Sequence, residues 1–363
     1  MAALSETTFP NPNFWKNKKV LVTGHTGFKG SWLTTWLESM GATVCGLGLD
    51  PDTSPSLWSS LQPNLKTADL RENINDTFWQ EKVQDFKPEI AFHLAAQPLV
   101  VTGWEDPQLT FKTNVGGLVE FLSWADSCNS LGVAVVVTSD KVYRLDNSKI
   151  PRQEDDPLGG DDPYSASKAC AELVLHSWPK NKNLKFASAR SGNVIGGGDW
   201  ARDRLIPDLI REKHENKQFV SRNPKAIRPW QHVIEPISGY LLLAEHLASG
   251  LNRKSSYNFG PNLKDQVSVS EIINCVRDKL RLKVIQDNNS DDFLNSYSES
   301  VFLLLDSSKA KIDLGWNSLY SWEEAISISL QWYEDFYSGK DPKSLIIRDI
   351  NNYTQLSHAK KIE

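Results

Sequence analysis

The sequence has no uninterrupted apolar run of the roughly 20 residues that a membrane-spanning helix takes. Its opening, MAALSETTFPNPNFW, lacks the basic segment followed by an apolar one that marks a secretory leader. Long basic tracts are missing too. With a net charge of -5 and a pI near 5.9, the chain is not expected to be a general nucleic-acid binder. Only four cysteines occur, Cys45, Cys128, Cys170 and Cys275, and no two form a C-x-x-C pair. Each falls in an apolar or helical pattern, where a buried free thiol is expected, and a reducing cytoplasm suits that usage. His25, His93, His176 and His232 show no ligand spacing, so no metal is expected. These absences leave a globular chain of 363 residues, enough for one large or two ordinary domains, with 40% hydrophobic content.

What is present begins at Val20. Val20-Leu21-Val22-Thr23 reads as a buried strand, Gly24-His25-Thr26-Gly27 as a turn, and Phe28-Lys29-Gly30-Ser31-Trp32-Leu33 as the start of a helix. Gly24, Gly27 and Gly30 are spaced G-x-x-G-x-x-G, which lets backbone approach a pyrophosphate with no Cβ in the way. The helix that follows points free N–H groups and a positive dipole end at the same place. Gly24, Thr26, Gly27, Phe28, Lys29 and Gly30 are therefore candidates for holding a dinucleotide. His25 is unusual in a phosphate loop and either touches the cofactor or fills space.

The helix carries Trp32, Leu33, Trp36, Leu37 and Met40 on one face, and Gly41 is placed to end it. Ala42 to Leu49 reads as a second strand ending at Asp50. An acid there accepts hydrogen bonds from a ribose 2′-hydroxyl and repels a 2′-phosphate, which favours NAD over NADP. The competing reading makes Asp50 an ordinary loop residue before Pro51. Asp69 and Leu70 follow another strand and are placed to meet the adenine end. Glu89 to Leu94 is a strand running into Ala95-Ala96-Gln97, and the small residues there let a flat cofactor pass close to Leu94, Ala95 and Ala96.

Further along, Phe78 to Phe86 and Pro107 to Cys128 are helical in pattern, the second as one long segment. Val133 to Thr138 is the β-branched run of a buried parallel strand. A helix holding Tyr164 to Leu175 and a strand at Phe186 to Arg190 continue the alternation, which implies a doubly wound parallel sheet with its ligand at the carboxyl ends of the strands. From Ser191 the composition changes. Ile234 to Ala248 reads as a helix, Tyr257 to Gly260 as a strand returning to the sheet, and Ser270 to Leu280 and Ser321 to Tyr337 as helices. The expected division is a dinucleotide-binding part at 16–190 with a returning segment near 233–262, and a smaller substrate-binding part at 191–232 and 263–340. Residues 341–363 are expected to be a polar tail, loosely held.

The chemistry converges on two places. Ser139 and Asp140 directly follow the buried strand, where ligands belong. Tyr164 and Lys168 stand four apart and share a helix face. An ammonium beside a phenol favours the phenolate, so Tyr164 is expected to act as a base with a lowered pKa, and Ser139 to bond the same substrate oxygen.

These residues carry a resemblance. The chain is similar to the extended short-chain dehydrogenases/reductases, and within them to the nucleotide-sugar 4,6-dehydratases of the cytidine-sugar branch. GHTGFKGSWL (24–33), HLAAQPLV (93–100), TSDK (138–141), DPYSASK (162–168), RSGNVIGGGDWARDRLIPD (190–208) and RPWQHVIEP (228–236) carry it, over about Lys19 to Gly260. The last two blocks are long and unusual, and so the most specific. The resemblance implies an α/β fold, a Rossmann-type doubly wound parallel sheet with a smaller α/β substrate-binding domain, bound NAD, and CDP-glucose as substrate. It implies that Tyr164 takes the proton of the sugar 4-hydroxyl, Asp140 protonates the departing 6-hydroxyl, and Lys141 contacts substrate where thymidine-sugar relatives carry a glutamate. Asn193 matches an asparagine placed near the sugar phosphates. Gln97, Arg204, Leu205 and Arg228 join it as substrate-binding candidates, with Trp200 and Trp230 as pocket walls or plain packing. His232 reads as structural. Relatives imply a homodimer, or a higher homo-oligomer, built through helices of the sheet. The segment from Arg144 to Pro157, and Asp161, depart from the pattern beside the sugar pocket. The alternatives are a 4-epimerase, a 4,6-dehydratase of another nucleotide-sugar, a net dehydrogenase, and, from a different class, a non-catalytic dinucleotide-binding module. Asp140-Lys141 separates the first of these from a dehydratase, because an epimerase eliminates no water.

Overall fold

The computed structural model describes residues 9–359 except 147, 180–182, 216–218, 221–223, 251–254, 282–283 and 286–301. A seven-stranded sheet organises it: β1 (Lys19–Thr23), β2 (Thr43–Gly48), β3 (Ala68–Arg71), β4 (Ile90–His93), β5 (Val133–Val137), β6 (Lys185–Ser191) and β7 (Ser255–Phe259). The spatial order is β7-β6-β5-β4-β1-β2-β3, and every pairing is parallel. From β1 the chain winds outward to β3, then crosses back to β4 and winds the other way. The reversal opens a crevice between the carboxyl ends of β1 and β4, where such folds place ligands.

Successive residues of a strand face opposite sides, and both sides here are covered. Val20 and Val22 of β1, with Val133, Val135 and Val137 of β5, face a layer built from the helices Phe28–Ser39 and Ile234–Ser249. Leu21, Ala134 and Val136 face the other layer, from the helices Phe78–Phe86, Gly117–Ser127 and Pro163–Ser177. A strand buried on both faces has no polar alternation, which is why β5 reads VAVVV. The doubly wound sheet expected from the alternation is the fold of this chain.

Beyond the sheet, the described residues include three two-stranded pairs and several further helices. Val194–Ile195 runs parallel to Gln231–His232, and Ile227–Arg228 is antiparallel to Val267–Ser268. Phe219–Val220 pairs with Val284–Ile285. The helices Val269–Leu280 and Trp322–Tyr337 each begin with a capping box, Ser268 with Glu271 and Ser321 with Glu324.

The long helical segment expected from Pro107 is present: it runs unbroken to Ser127, with a π turn at Lys112–Gly116 between the α-helices Pro107–Phe111 and Gly117–Ser127. One local expectation is corrected. The residues read as a loose tail form the helix Pro342–Ala359, whose Leu345, Ile346, Ile350 and Tyr353 are buried in the main core with Trp36 and Trp332. Their apolar stripe is interrupted by enough polar residues to hide it in composition alone.

Candidate active site

The glycine turn closes at the crevice. Gly24 has φ +72°, and its N–H donates to the Leu47 carbonyl at 2.7 Å. A Cβ on Gly24 would lie 2.8 Å from the Ala95 nitrogen, and one on Gly30 would lie 2.2 Å from the Gly24 carbonyl oxygen. Both positions need glycine for β4 and the helix start to approach the loop. The helix Phe28–Ser39 begins at Gly27 with no side chain bonded to its first turn. Backbone amides and the dipole end then serve an anion, which fits the pyrophosphate of a dinucleotide. Thr23 Oγ1 accepts from the Leu94 and Ala95 amides at 3.2 Å each and lies 3.0 Å from His93 Nδ1, tying β1 to the start of Leu94-Ala95-Ala96.

At the far end of the cradle, His25 fills space and orients an acid. Its ring lies where a Cβ on Gly46 would sit, 2.3 Å from Cδ2, and meets the Trp58 ring edge-on at 4.4 Å. His25 Nε2 is 2.8 Å from Asp69 Oδ1, and Asp69 also accepts from Trp58 Nε1 at 3.1 Å and Arg71 Nη2 at 2.9 Å. Partial burial raises the Asp69 carboxyl, but bonds from His25 and Trp58 and the charge of Arg71 hold it below its usual value. Burial keeps His25 below its own, against the pull of Asp69. Asp50 lies just past β2 with its side chain 89% exposed and 3.7 Å from Arg71 Nη1. Asp50, Asp69 and Leu70 thus share one edge of the sheet, with Arg71 between the two acids.

The other end is built from charge. Past β5 the chain turns through a short 3-10 helix, Asp140–Val142, capped by Ser139, whose Oγ accepts from the Lys141 amide at 3.2 Å and donates to Asp140 Oδ1 at 3.0 Å. Asp162 caps the helix Pro163–Ser177 by accepting from the Ser165 amide at 2.9 Å, with Pro163 at its first position. That cap sets Tyr164 in the first turn, where Ser139 acts on its hydroxyl, and Lys168 follows one turn on.

Burial pushes Tyr164 up to about 12, and the charge of Asp140 adds to it, while the Ser139 bond and Arg204 work the other way. The lowered phenol expected from the Tyr-Lys spacing is not what this arrangement gives. The reason is that the phenol is itself buried, which outweighs the neighbours that favour its anion, and burial also pushes the Lys168 ammonium down to about 8. Burial also raises the Asp140 carboxyl, against Lys141, Ser139 and Arg228, and its Oδ2 has no hydrogen-bond partner among the described residues. A Cβ on Gly192 would come within 2.8 Å of that oxygen and 2.2 Å of Pro229 Cγ, so glycine lets the chain after β6 close over Asp140.

Lys29 reaches from the cradle into this cluster. Its Nζ donates to Ser191 Oγ at 2.8 Å, and Ser191 Oγ lies 2.7 Å from the Tyr240 hydroxyl. Burial and the charge of Arg204 take the Lys29 amine down to about 7. Arg204 Nη1 is 2.8 Å from Asp199 Oδ2, at the N-terminus of the helix Leu205–His214. Arg228 is buried, with Nη1 donating to the Ile227 carbonyl at 2.9 Å. Asn193 stands between Gly192 and the strand Val194–Ile195, its carbonyl accepting from the Gln231 amide at 3.0 Å.

Other candidates have structural partners. Gln97 donates to the Leu99 carbonyl at 2.9 Å and Thr110 Oγ1 at 2.8 Å, and its Oε1 accepts from the Leu99 amide. Trp200 packs against Phe336 at 5.0 Å between ring centres and against Trp332 at 6.1 Å. His232 is buried beside Trp32 and accepts from the Ile234 amide at 3.4 Å.

Sequence reasoning missed Asn114. The π turn carries it to the Gln97 amide, 2.8 Å from Oδ1, and to Ser167 Oγ, 2.8 Å from Nδ2. Its signal was an asparagine on the buried face of an apolar helix, and π turns gather at functional sites. Among the described residues, no group of His, Cys, Asp and Glu is placed to hold a metal ion, and no helix is long and apolar enough to cross a membrane.

Comparison with known proteins points to one family. The sequence model of the NAD-dependent epimerase/dehydratase family matches residues 20–260. A CDP-glucose 4,6-dehydratase of Salmonella typhimurium is 42% identical over 359 residues, covering 94% of this chain and 97% of its own length. Among solved structures, an epimerase from Methanothermobacter thermautotrophicus superimposes with a TM-score of 0.77 at 22% identity, covering 90% of this chain and 95% of its own. A dTDP-glucose 4,6-dehydratase from Streptomyces venezuelae, solved with NAD bound, gives 0.74 at 20% identity, with 90% and 99% covered. These two structures speak to the fold.

Proposed function

This chain belongs to the NAD-dependent epimerase/dehydratase family, and we propose that it is a 4,6-dehydratase converting CDP-glucose to CDP-4-keto-6-deoxyglucose. The observation that carries the reading is Asp140, a buried carboxyl raised toward its protonated form beside the Ser139–Tyr164 pair. A 4-epimerase has use for the pair but none for the acid. The 42% likeness to a CDP-glucose 4,6-dehydratase supports the choice of sugar nucleotide.

The residues divide the work. Gly24, Thr26, Gly27, Phe28 and Gly30 hold the cofactor pyrophosphate, Asp50, Asp69 and Leu70 its adenosine end, and Leu94, Ala95 and Ala96 flank it at the crevice. NAD bound there would supply the hydride acceptor for C4, the hydride returned to C6, and a positive charge that favours the phenolate form of Tyr164. Tyr164 removes the proton of the 4-hydroxyl, with Ser139 bonding the same oxygen and Lys168 holding positive charge beside it. The resulting 4-ketone acidifies C5–H. As that proton passes to the Lys141 amine, Asp140 gives its own proton to the 6-oxygen, which departs as water, and a proton returns from Lys141 to C5 as hydride reaches C6. Lys141 meets the sugar next to Asp140. Asn193, Arg204, Leu205 and Arg228 line the nucleotide-sugar, with the guanidinium groups toward its diphosphate, while Gln97 is taken up by Leu99 and Thr110 and shapes the loop beside it. Residues 191–232 and 263–340 form the sugar-binding part.

We also read the protein as a homodimer in the cytoplasm. Trp104, Leu109, Phe111 and Leu173 are exposed apolar residues on neighbouring helices of one sheet layer, and a second copy covers such a face.

Mass spectrometry of CDP-glucose incubated with the protein and catalytic NAD tests the proposal. Loss of one water without net NADH is the expected result. An isomer of unchanged mass would instead make it an epimerase. No turnover of CDP-glucose or of its thymidine, uridine and guanosine counterparts would leave a binding module.

A further inference from the structure

Beneath the catalytic cluster lies a buried ion pair that the mechanism does not use. Glu172 follows Lys168 by four residues on the helix Pro163–Ser177, so the two share a face. Its Oε2 is 2.8 Å from Arg190 Nη2, with side chains only 2% and 3% exposed. Thr138 Oγ1 donates to Glu172 Oε1 at 2.5 Å, and Ser188 and Ser256 donate to Oε2 at 2.8 and 3.1 Å. Arg190 donates in turn to the Tyr143 hydroxyl and the Glu154 carbonyl, both at 2.9 Å. The Tyr143 hydroxyl donates to Asn258 Oδ1 at 2.6 Å.

A buried ion pair is seldom better for stability than well-packed apolar side chains, so its position needs another reason. The reason here is what its partners adjoin. Thr138 immediately precedes Ser139. Tyr143 lies two residues past Lys141. Ser191, which receives Lys29, follows Arg190.

We infer that Glu172 is a positioning residue: its bond to Thr138 fixes the end of β5 that presents Ser139, and its negative charge keeps Lys168 an ammonium. The inference rests on the reading of Ser139, Tyr164 and Lys168 as the catalytic set. Lys168 is faced by Glu172 on its own helix, by His93 at the end of β4 and by Lys29 from the helix Phe28–Ser39, with Tyr164 one turn before it on the helix. Glu172 is faced by Thr138 of β5, Ser188 and Arg190 of β6 and Ser256 of β7, with Tyr143 and Glu154 behind Arg190. Burial drives Lys168 down, and Glu172 is the acid that opposes it.

The test titrates Lys168 without turnover, by competitive acetylation with acetic anhydride across pH and mass spectrometry of its peptide. In Glu172→Gln the midpoint is expected to fall by about one pH unit, because the opposing charge is gone and Arg190 is left unbalanced. In Glu172→Asp, which keeps the charge, it stays within a few tenths of a unit of the parent. An unmoved midpoint in folded Glu172→Gln overturns the electrostatic half. Thr138→Val keeps the ion pair and removes only the hydroxyl. It is expected to lower kcat on CDP-glucose about tenfold with the Lys168 midpoint unchanged, and unchanged kcat overturns the positioning half. Should Glu172→Gln not fold, the double variant Glu172→Gln/Arg190→Met, which leaves no buried charge unpaired, takes its place. A fallen Lys168 midpoint there supports the electrostatic half, and an unmoved one overturns it. Because labelling needs no substrate, a failure of the dehydratase reading shows separately, as absent turnover with the midpoints still shifting.

Discussion

The two ends of the crevice are made of different material. At the cradle, backbone does the shaping: Gly24 and Gly30 let β4 and the helix start approach within distances that any Cβ would block. At the other end, buried charge does it: Tyr164, Lys168, Asp140 and Lys29 are all displaced from their ordinary titration, by burial first and by neighbouring charges second. The first end has no room for an added atom at Gly24 or Gly30. The second tolerates isosteric change in shape but not a change in where protons sit. Substitutions should therefore separate cleanly into those that lose cofactor affinity and those that lose rate.

The largest expected effect lies at the charged end. Tyr164→Phe removes the proton acceptor and leaves the cradle intact. Turnover of CDP-glucose should fall by about 10³-fold, the middle of the range for general acid–base groups, with NAD affinity by calorimetry within about threefold of the parent. A parallel loss of NAD binding would break the contrast between the two ends.

Asp140→Asn sharpens it within the charged end itself. The amide keeps the shape and cannot donate a carboxyl proton, so net dehydration should drop by about 10²-fold. Oxidation at C4 needs only Ser139, Tyr164 and Lys168, so NADH absorbance should build up on the enzyme in a single turnover. The sign of the pH dependence follows from the raised Asp140 carboxyl: the acid form is active, so elimination falls as pH rises through its elevated pKa. That limb should vanish in Asp140→Asn, and its persistence would assign it to another group.

Gly24→Ala tests the backbone end. The added methyl meets the Ala95 nitrogen at 2.8 Å in a backbone at φ +72° that L residues rarely adopt. Strain of about 2 kcal/mol corresponds to a loss of NAD affinity on the order of thirtyfold. At saturating NAD, kcat should recover to within about threefold of the parent, the opposite of the Tyr164→Phe pattern.

The same difference in material explains what the sequence showed. A site made of backbone proximity leaves glycines at fixed spacing, so the cradle and its strand-turn-helix context were legible at once. The sheet was legible because VAVVV and its fellows are buried on both faces and carry no polar alternation. The charged end showed only its helical pair, Tyr164 and Lys168. Its actual titration depends on how deeply Lys168 is buried and on Glu172 meeting Arg190, from a strand 18 residues away. Asn114 stayed hidden because a π turn shifts which residue faces inward without altering the apolar pattern around it. The helix Pro342–Ala359 was misread because Leu345, Ile346, Ile350 and Tyr353 form a narrow stripe among polar neighbours, and only packing on Trp36 and Trp332 reveals it.

The smallest effect expected lies outside the crevice, where the helix Ile234–Ser249 meets the segment before Trp322. Glu235 is buried there, and its Oε1 accepts from Ser318 Oγ at 2.9 Å and from the Leu319 and Tyr320 amides at 2.6 and 3.1 Å. Its Oε2 has no hydrogen-bond partner among the described residues. Burial carries the carboxyl up to about 7, against those three bonds. A group whose folded pKa lies above its unfolded value binds its proton more tightly in the native state. Its contribution to stability is therefore fully present below pH 4.5 and is lost as pH rises through about 7. Glu235→Gln holds the neutral form at every pH and still offers an oxygen to the three donors. Its melting temperature should exceed the parent's by a few degrees at pH 8 and match it at pH 5, as read by calorimetry. Activity should follow the parent at both, since this carboxyl acts on the packing of the two layers and not on the crevice. A destabilised Glu235→Gln at pH 8 would mean that the carboxylate is bound as an anion after all, and that the contrast of neutral packing with charged chemistry stops at the edge of the site.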